Sequence, residues 1–152
     1  MNLQITNIQD EKDLKKLKYF MLKQPQYYPN FRNWVEEKCL PRIESEKYKT
    51  IIVISEGKII GDAIYRKLDK LNTEIKNFRI DKNFRNRDLG HFLLNQIFFE
   101  NPSTNLITDV TTDNFPAVEF FIRNGFNIVE KKQLYKKGQD ELILVRNSFQ
   151  KF

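Results

Sequence analysis

Cysteine and histidine are nearly missing from this 152-residue chain, which has one of each, Cys39 and His91. A single cysteine excludes an internal disulfide. A single histidine leaves both a histidine-based metal site and a Ser-His triad short of parts, so no metal is expected. Cys39 falls in a helical pattern and reads as a small core hydrophobe rather than a nucleophile. No apolar run reaches membrane-spanning length, and the opening residues MNLQITNIQD lack the basic region and apolar run of a signal peptide. The expectation is a cytoplasmic protein with no membrane contact. Repeats, low-complexity segments and shifts of composition are also lacking, so residues 1–152 are expected to form a single domain able to bury a sizeable core.

Positive charge is in surplus: 26 Lys and Arg stand against 20 Asp and Glu, a net +6 with a pI near 9.3. Such a balance suits a nucleic acid, an acidic protein or a polyanionic cofactor as partner. The lysines are scattered along the chain rather than massed, so nucleic acid is possible but not favoured.

The stretch FRNRDLGHFLL, Phe84 to Leu94, joins a strand to a helix through a loop carrying Arg85, Arg87 and Gly90. A helix opening with free N–H groups carries about half a positive charge, and two neighbouring arginines add charge-assisted donors. The loop therefore reads as an anion site, with Gly90 allowing close approach to the backbone. His91 either donates to a bound phosphate or faces solvent.

Period-2 and period-3.6 patterns place the other elements. Leu3 to Ile8 is expected as a strand, followed by a helix from Asp10 or Glu11 to Leu22 with Leu14, Leu17 and Met21 on one face. Gln24 to Asn30, with two prolines, reads as a loop, and Phe31 to Ile43 as a second helix disturbed near Pro41. Phe31 and Trp34 read as core; Tyr27 and Tyr28 are as well placed to read a substrate as to pack. Thr50 to Ser55 and Lys58 to Lys67 form a hairpin about Glu56-Gly57. Thr73 to Ile80 is the strand before the anion loop, with Glu74, Lys76, Phe78 and Ile80 expected on one face. A helix from Leu89 to Phe99, a strand from Leu106 to Thr111, a helix from Pro116 to Asn124, and strands Asn127 to Leu134 and Glu141 to Arg146 complete the chain. The fold class is α/β (α+β): a mixed, mostly antiparallel sheet of about seven strands with four helices, ordered β-α-α-β-β-β-α-β-α-β-β.

Two segments carry a resemblance. Arg85-Asn86-Arg87-Asp88-Leu89-Gly90 is similar to the loop of the GNAT N-acetyltransferases, and Asn114, Ala117, Phe120, Phe121, Gly125 and Phe126 follow that superfamily's later Asn-x-x-Ala-x-x-Phe-Tyr and Gly-Phe pattern. The resemblance implies acetyl-CoA as cosubstrate and a primary amine as acceptor, on a small molecule, a protein lysine or an N-terminus. It places the pyrophosphate on the loop Arg85, Asn86, Arg87, Asp88, Leu89, Gly90 and His91. The pantetheine arm would lie along the peptide groups of Phe78, Arg79 and Ile80, beside Asn114, Phe120 and Phe121. Asn114 reads equally as a helix cap.

An ammonium must lose a proton before it attacks, and a carboxylate can take it. Glu74 is the first candidate, since histone-type members carry a catalytic glutamate on this strand at the same separation from the loop. Asp109 is the second, matching a glutamate of ribosomal-protein acetyltransferases. Two positions depart from the pattern: Asp88 replaces a loop glycine, where it also reads as a helix N-cap, and Phe121 replaces the tyrosine that protonates the departing thiolate. They motivate rival expectations: a non-catalytic CoA-sensing or protein-interaction module, or, from the net charge, an enzyme acting on an RNA-borne amine such as aminoacyl-tRNA. A monomer or a homodimer fits the pattern equally.

Overall fold

The structure, a computed structural model, describes residues 3–85 and 88–148. Its centre is a seven-stranded sheet in the order β1-β2-β3-β4-β5-β7-β6. The strands are β1 (Leu3–Asn7), β2 (Lys49–Ser55), β3 (Lys58–Lys67), β4 (Asn72–Ile80), β5 (Asn105–Thr111), β6 (Asn127–Lys132) and β7 (Glu141–Arg146). Every pairing is antiparallel except β4 with β5. The mixed, mostly antiparallel architecture and the element order both agree with the patterns in the sequence.

Helices cover both faces. Helix α1 (Glu11–Lys23) starts at Asp10, whose carboxylate accepts the N–H of Asp13 at 2.9 Å. Helix α2 runs through three consecutive segments, Phe31–Trp34, Val35–Cys39 and Leu40–Glu44, the middle one π-helical. There the N–H of Leu40 reaches back five residues to the carbonyl of Val35. The widened turn lies directly before Pro41, which has no N–H and whose ring crowds the preceding turn of a regular helix. The disturbance expected at Pro41 is thus a change of register rather than a break. Leu17, Met21, Phe31, Val35 and Cys39 pack with Ile52 and Ile64 on this face of the sheet.

On the other face, α3 (Leu89–Glu100) and α4 (Phe115–Arg123) lay Leu89, Leu93, Leu94, Ile97, Val118 and Phe121 on Val53, Ala63, Ile75, Ile80 and Leu106. Gly57 and Glu56 both have positive φ, +75° and +50°, the geometry of a tight hairpin whose twist matches the strands it joins.

An irregularity in β4 shapes the site. Ile64 pairs with Asn77 and Tyr65 with Ile75, which leaves Lys76 as an extra residue, a β-bulge. Glu74, opposite Arg66, therefore faces the α1/α2 side, whereas Phe78, opposite Ala63, packs on the α3/α4 side with Ile80. The expectation that Glu74 shares a face with Phe78 and Ile80 is overturned, because strict alternation does not survive the bulge.

Candidate active site

Strands β4 and β5 pair only from Asn72 with Asn105 to Glu74 with Ile107. Beyond that point they diverge, and the Thr108 hydroxyl spans to the carbonyl of Ile75 at 3.4 Å. The far half of β4 turns its peptide edge toward a cleft of about 590 Å³. Aromatic rings pack beside it on the α3/α4 face: Phe78 stacks on Phe120 at 5.5 Å and meets Phe121 edge-on at 5.7 Å, and Phe121 meets Phe126 at 5.0 Å.

One end of the cleft is the start of α3, with Phe84, Arg85, Asp88, Leu89, Gly90 and His91 along its wall. Asp88 is exposed and takes the left-handed conformation, φ +59° and ψ +8°, and its side chain makes no capping bond. The expected side-chain N-cap is corrected: Asp88 precedes α3 in a backbone geometry that favours glycine, and its carboxylate does not bond the first turn. Gly90 is required for a reason the sequence does not show. A Cβ on it would lie 2.8 Å from Cε1 of Phe120, so the glycine admits the α4 ring against α3. The His91 ring is engaged at both nitrogens, Nδ1 with Asn124 Oδ1 at 2.8 Å and Nε2 with Asn95 Nδ2 at 3.1 Å. Arg85 folds back, its Nε donating to the carbonyl of Ile80 at 3.0 Å. Asn86 and Arg87 of the expected loop lie outside the described residues.

The opposite end is built from the loop between α1 and α2 (Gln24, Pro25, Tyr27, Tyr28), together with Lys76, Thr108 and Asp109. Tyr135, in the β6–β7 connection, donates to Asp109 Oδ2 at 3.0 Å and meets Tyr28 edge-on at 5.0 Å. Gln139 of the same connection donates to the carbonyl of Tyr27 at 2.9 Å and to Glu141 Oε1 at 3.0 Å. Burial raises the Asp109 carboxyl above the usual carboxylate range, against the opposing pull of the Tyr135 hydroxyl and Lys76. Burial likewise raises Glu141.

This arrangement has a tyrosine-lined pocket with Asp109 at one end, a helix N-terminus at the other and, between them, the stretch of β4 that has parted from β5. A model of the acetyltransferase (GNAT) family matches residues 9–126. The chain belongs to that family. By family it is an acyltransferase, and solved structures share its fold from end to end. A GNAT-family protein from Desulfovibrio desulfuricans superposes with a TM-score of 0.84 over 97% of this chain and 99% of its own, at 14% identity. The ribosomal-protein-S18-alanine N-acetyltransferase of Escherichia coli gives 0.77 over 99% and 97%, at 18% identity. A GNAT acetyltransferase from Elizabethkingia anophelis, solved with acetyl-CoA bound, gives 0.66 over 96% and 98%, at 17% identity. No curated protein matches the sequence at a significant level.

The cleft brings together most of the residues singled out in the sequence: Phe78, Arg79 and Ile80 on β4, Arg85 and Asp88 to His91 at α3, Asn114, Phe120 and Phe121 at α4, and Asp109 on β5. Asn114 starts α4 without a side-chain capping bond. Glu74 is not among the lining residues; it accepts from Arg66 Nε at 2.8 Å and lies 3.5 Å from Lys76 Nζ. Sequence reasoning missed Lys76, Arg123, Tyr135 and Glu141. Tyr135 sits in a polar turn with no pattern of its own, and only the return of β7 beside β5 brings it to Asp109. Among the described residues no group of His, Cys, Asp and Glu is placed to hold a metal, and no helix is long and apolar enough to cross a membrane.

Proposed function

We propose that the protein transfers an acetyl group from acetyl-CoA to a primary amine, with Asp109 taking the amine's proton. The observation that carries this reading is the parting of β4 from β5 beyond Glu74, which leaves the peptide edge of Phe78 to Ile80 facing a cleft that ends in the start of α3. That shape fits the cosubstrate: a strand edge for the pantetheine amides, and α3 N–H groups with Arg85 for the pyrophosphate. Acetyl-CoA, when bound, supplies the activated thioester. The chain's own residues do the rest. The N–H groups of the β4 edge are fixed donors for charge that develops on a carbonyl oxygen, and need no reorganisation to meet it.

At the acceptor end, Asp109 accepts a proton best when its own affinity for one is raised, as burial makes it, and Tyr135 holds the carboxylate in place. Tyr27 and Tyr28 line the approach of the entering amine. Glu74 acts on the same pocket through Lys76, whose ammonium it holds. Phe121 has no proton to give, so the departing thiolate takes its proton from water. Protein and small-molecule amines both fit this account.

The test is calorimetric titration of acetyl-CoA into the protein, followed by thiol release in the presence of lysine peptides, N-terminal peptides, polyamines and aminoacyl-tRNA. Micromolar binding and release with one acceptor class is the expected result. Binding without transfer to any amine would favour a CoA-sensing module, and no binding at all removes the reading.

A further inference from the structure

Beneath the acceptor end lies a side chain that the chemistry above does not use. Asp62, in the middle of β3, has no solvent exposure. Its Oδ2 accepts from Asn77 Nδ2 at 2.8 Å, while Oδ1 has no hydrogen-bond partner among the described residues. Asn77 in turn presents Oδ1 to Arg79 Nε at 3.3 Å. Arg79 lies over the Phe31 ring at 5.0 Å and donates through Nη1 to the carbonyl of Pro25. A continuous line of polar contacts therefore runs from the core to the loop 24–30, which carries Gln24, Pro25, Tyr27 and Tyr28 along the cleft.

We propose that Asp62 is a positioning residue for acceptor binding: through Asn77 and Arg79 it holds the loop 24–30 in place over the acceptor end of the cleft. This rests on the reading of that end given above. The physical reason is the two-sided chemistry of the Asn77 amide. An ionised carboxylate only accepts, so it draws the Asn77 NH₂ toward itself and turns the amide oxygen toward Arg79. A protonated Asp62 can donate to that oxygen instead, and the reversed amide sets an NH₂ against the Arg79 Nε–H. The link to Pro25 then loses its anchor.

The surroundings set the balance. Arg79 faces Asp62 from β4, the Cys39 thiol faces it from α2, and β2 contributes only Ile52 opposite it. Burial raises the carboxyl to about 7 against the pull of Asn77 and Arg79. The anchored arrangement therefore forms as Asp62 ionises and is lost as the pH falls and the carboxyl takes up its proton.

The experiment is hydrogen exchange of the peptide spanning residues 24–30 in the full chain, wild type against Asp62→Leu, which keeps the bulk but offers the Asn77 NH₂ no acceptor, at pH 8 and pH 6 with each pair compared at equal pH. At pH 8 the variant is expected to exchange about tenfold faster in this segment, with the difference largely gone at pH 6. Arg79→Lys, which leaves Asp62 and Asn77 in place, is expected to reproduce the pH 8 effect. With an active acceptor in hand, Asp62→Leu raises the acceptor KM severalfold, leaves acetyl-CoA affinity unchanged, and removes the rise of that KM below neutral pH. Equal exchange of the segment in wild type and both variants at pH 8 overturns the proposal. Because exchange is read without cosubstrate, that result is distinct from a failure to bind acetyl-CoA, which overturns the proposed activity instead.

Discussion

Replacing Asp109 by Asn preserves shape and the hydrogen bond from Tyr135, since the amide oxygen can still accept at the 3.0 Å position. It removes only the capacity to take a proton. A positioned general base is worth about 10²–10⁴ in rate, or about 3–5 kcal/mol at roughly 1.4 kcal/mol per decade, so kcat should fall within that range. The pH dependence is a sharper test. The base works when ionised, and burial raises its pKa in the folded protein. Wild-type kcat is therefore expected to fall as the pH is lowered, with its acid limb above the ordinary carboxylate range, and Asp109→Asn should lose that limb. Initial rates of thiol release, at saturating acetyl-CoA and with the best acceptor found, measure both quantities. Glu74→Gln is the control. Its carboxylate is tied to Arg66 and Lys76 and does not line the cleft, so a loss below tenfold, with the acid limb intact, is expected. If Asp109→Asn kept its rate across the pH range while Glu74→Gln lost it, the assignment would be wrong and the base would be Glu74.

Three other perturbations test the remaining parts. Asp88→Gly removes a carboxylate from the anion end and replaces a left-handed non-glycine residue, so calorimetry should show about tenfold tighter acetyl-CoA binding, with the gain shrinking in high salt. Gly90→Ala forces a methyl to 2.8 Å from the Phe120 ring. Overpacking of about 1–3 kcal/mol, less up to about 1 kcal/mol of helix propensity, should lower the urea midpoint, and Gly90→Ala combined with Phe120→Leu should recover it. Asp62 has a folded-state pKa near 7 against an ordinary 3.8, so the folded chain binds the proton more tightly than the unfolded chain. Its contribution to stability is then largest below the unfolded value and lost as the pH rises toward 7. Between pH 5 and 8 that loss is roughly 3 kcal/mol, and paired urea melts of wild type and Asp62→Asn should differ in pH slope by about this amount. Parallel slopes would contradict it.

Much of the fold was legible because its signals are local. The strand-forming run Lys58–Lys67, the helical spacing of Leu89, Leu93 and Ile97, and the Glu56-Gly57 turn each depend on residues close together in sequence, and the structure places the corresponding elements there. The family was legible in the loop from Arg85 to Gly90 and the segment from Asn114 to Phe126, because backbone approach and ring packing constrain residue type at fixed spacing. The sequence by itself therefore determined the element order, the family and most of the residues that line the cleft.

Tertiary structure decided the rest. The bulge at Lys76 turns Glu74 away from Phe78, although no residue nearby marks a break in alternation; the cause is the register β4 must keep with β3. Gly90 answers to a ring on another helix, Asp88 to the turn that enters α3, and Tyr135 finds Asp109 from 26 positions away. The same holds for the line from Asp62 through Asn77 and Arg79 to Pro25, which spans three elements. Periodicity reports which face a side chain occupies within its own element. Which groups then share a buried, poorly solvated volume, where their charges and hydrogen bonds set the chemistry, depends on contacts between segments far apart along the chain.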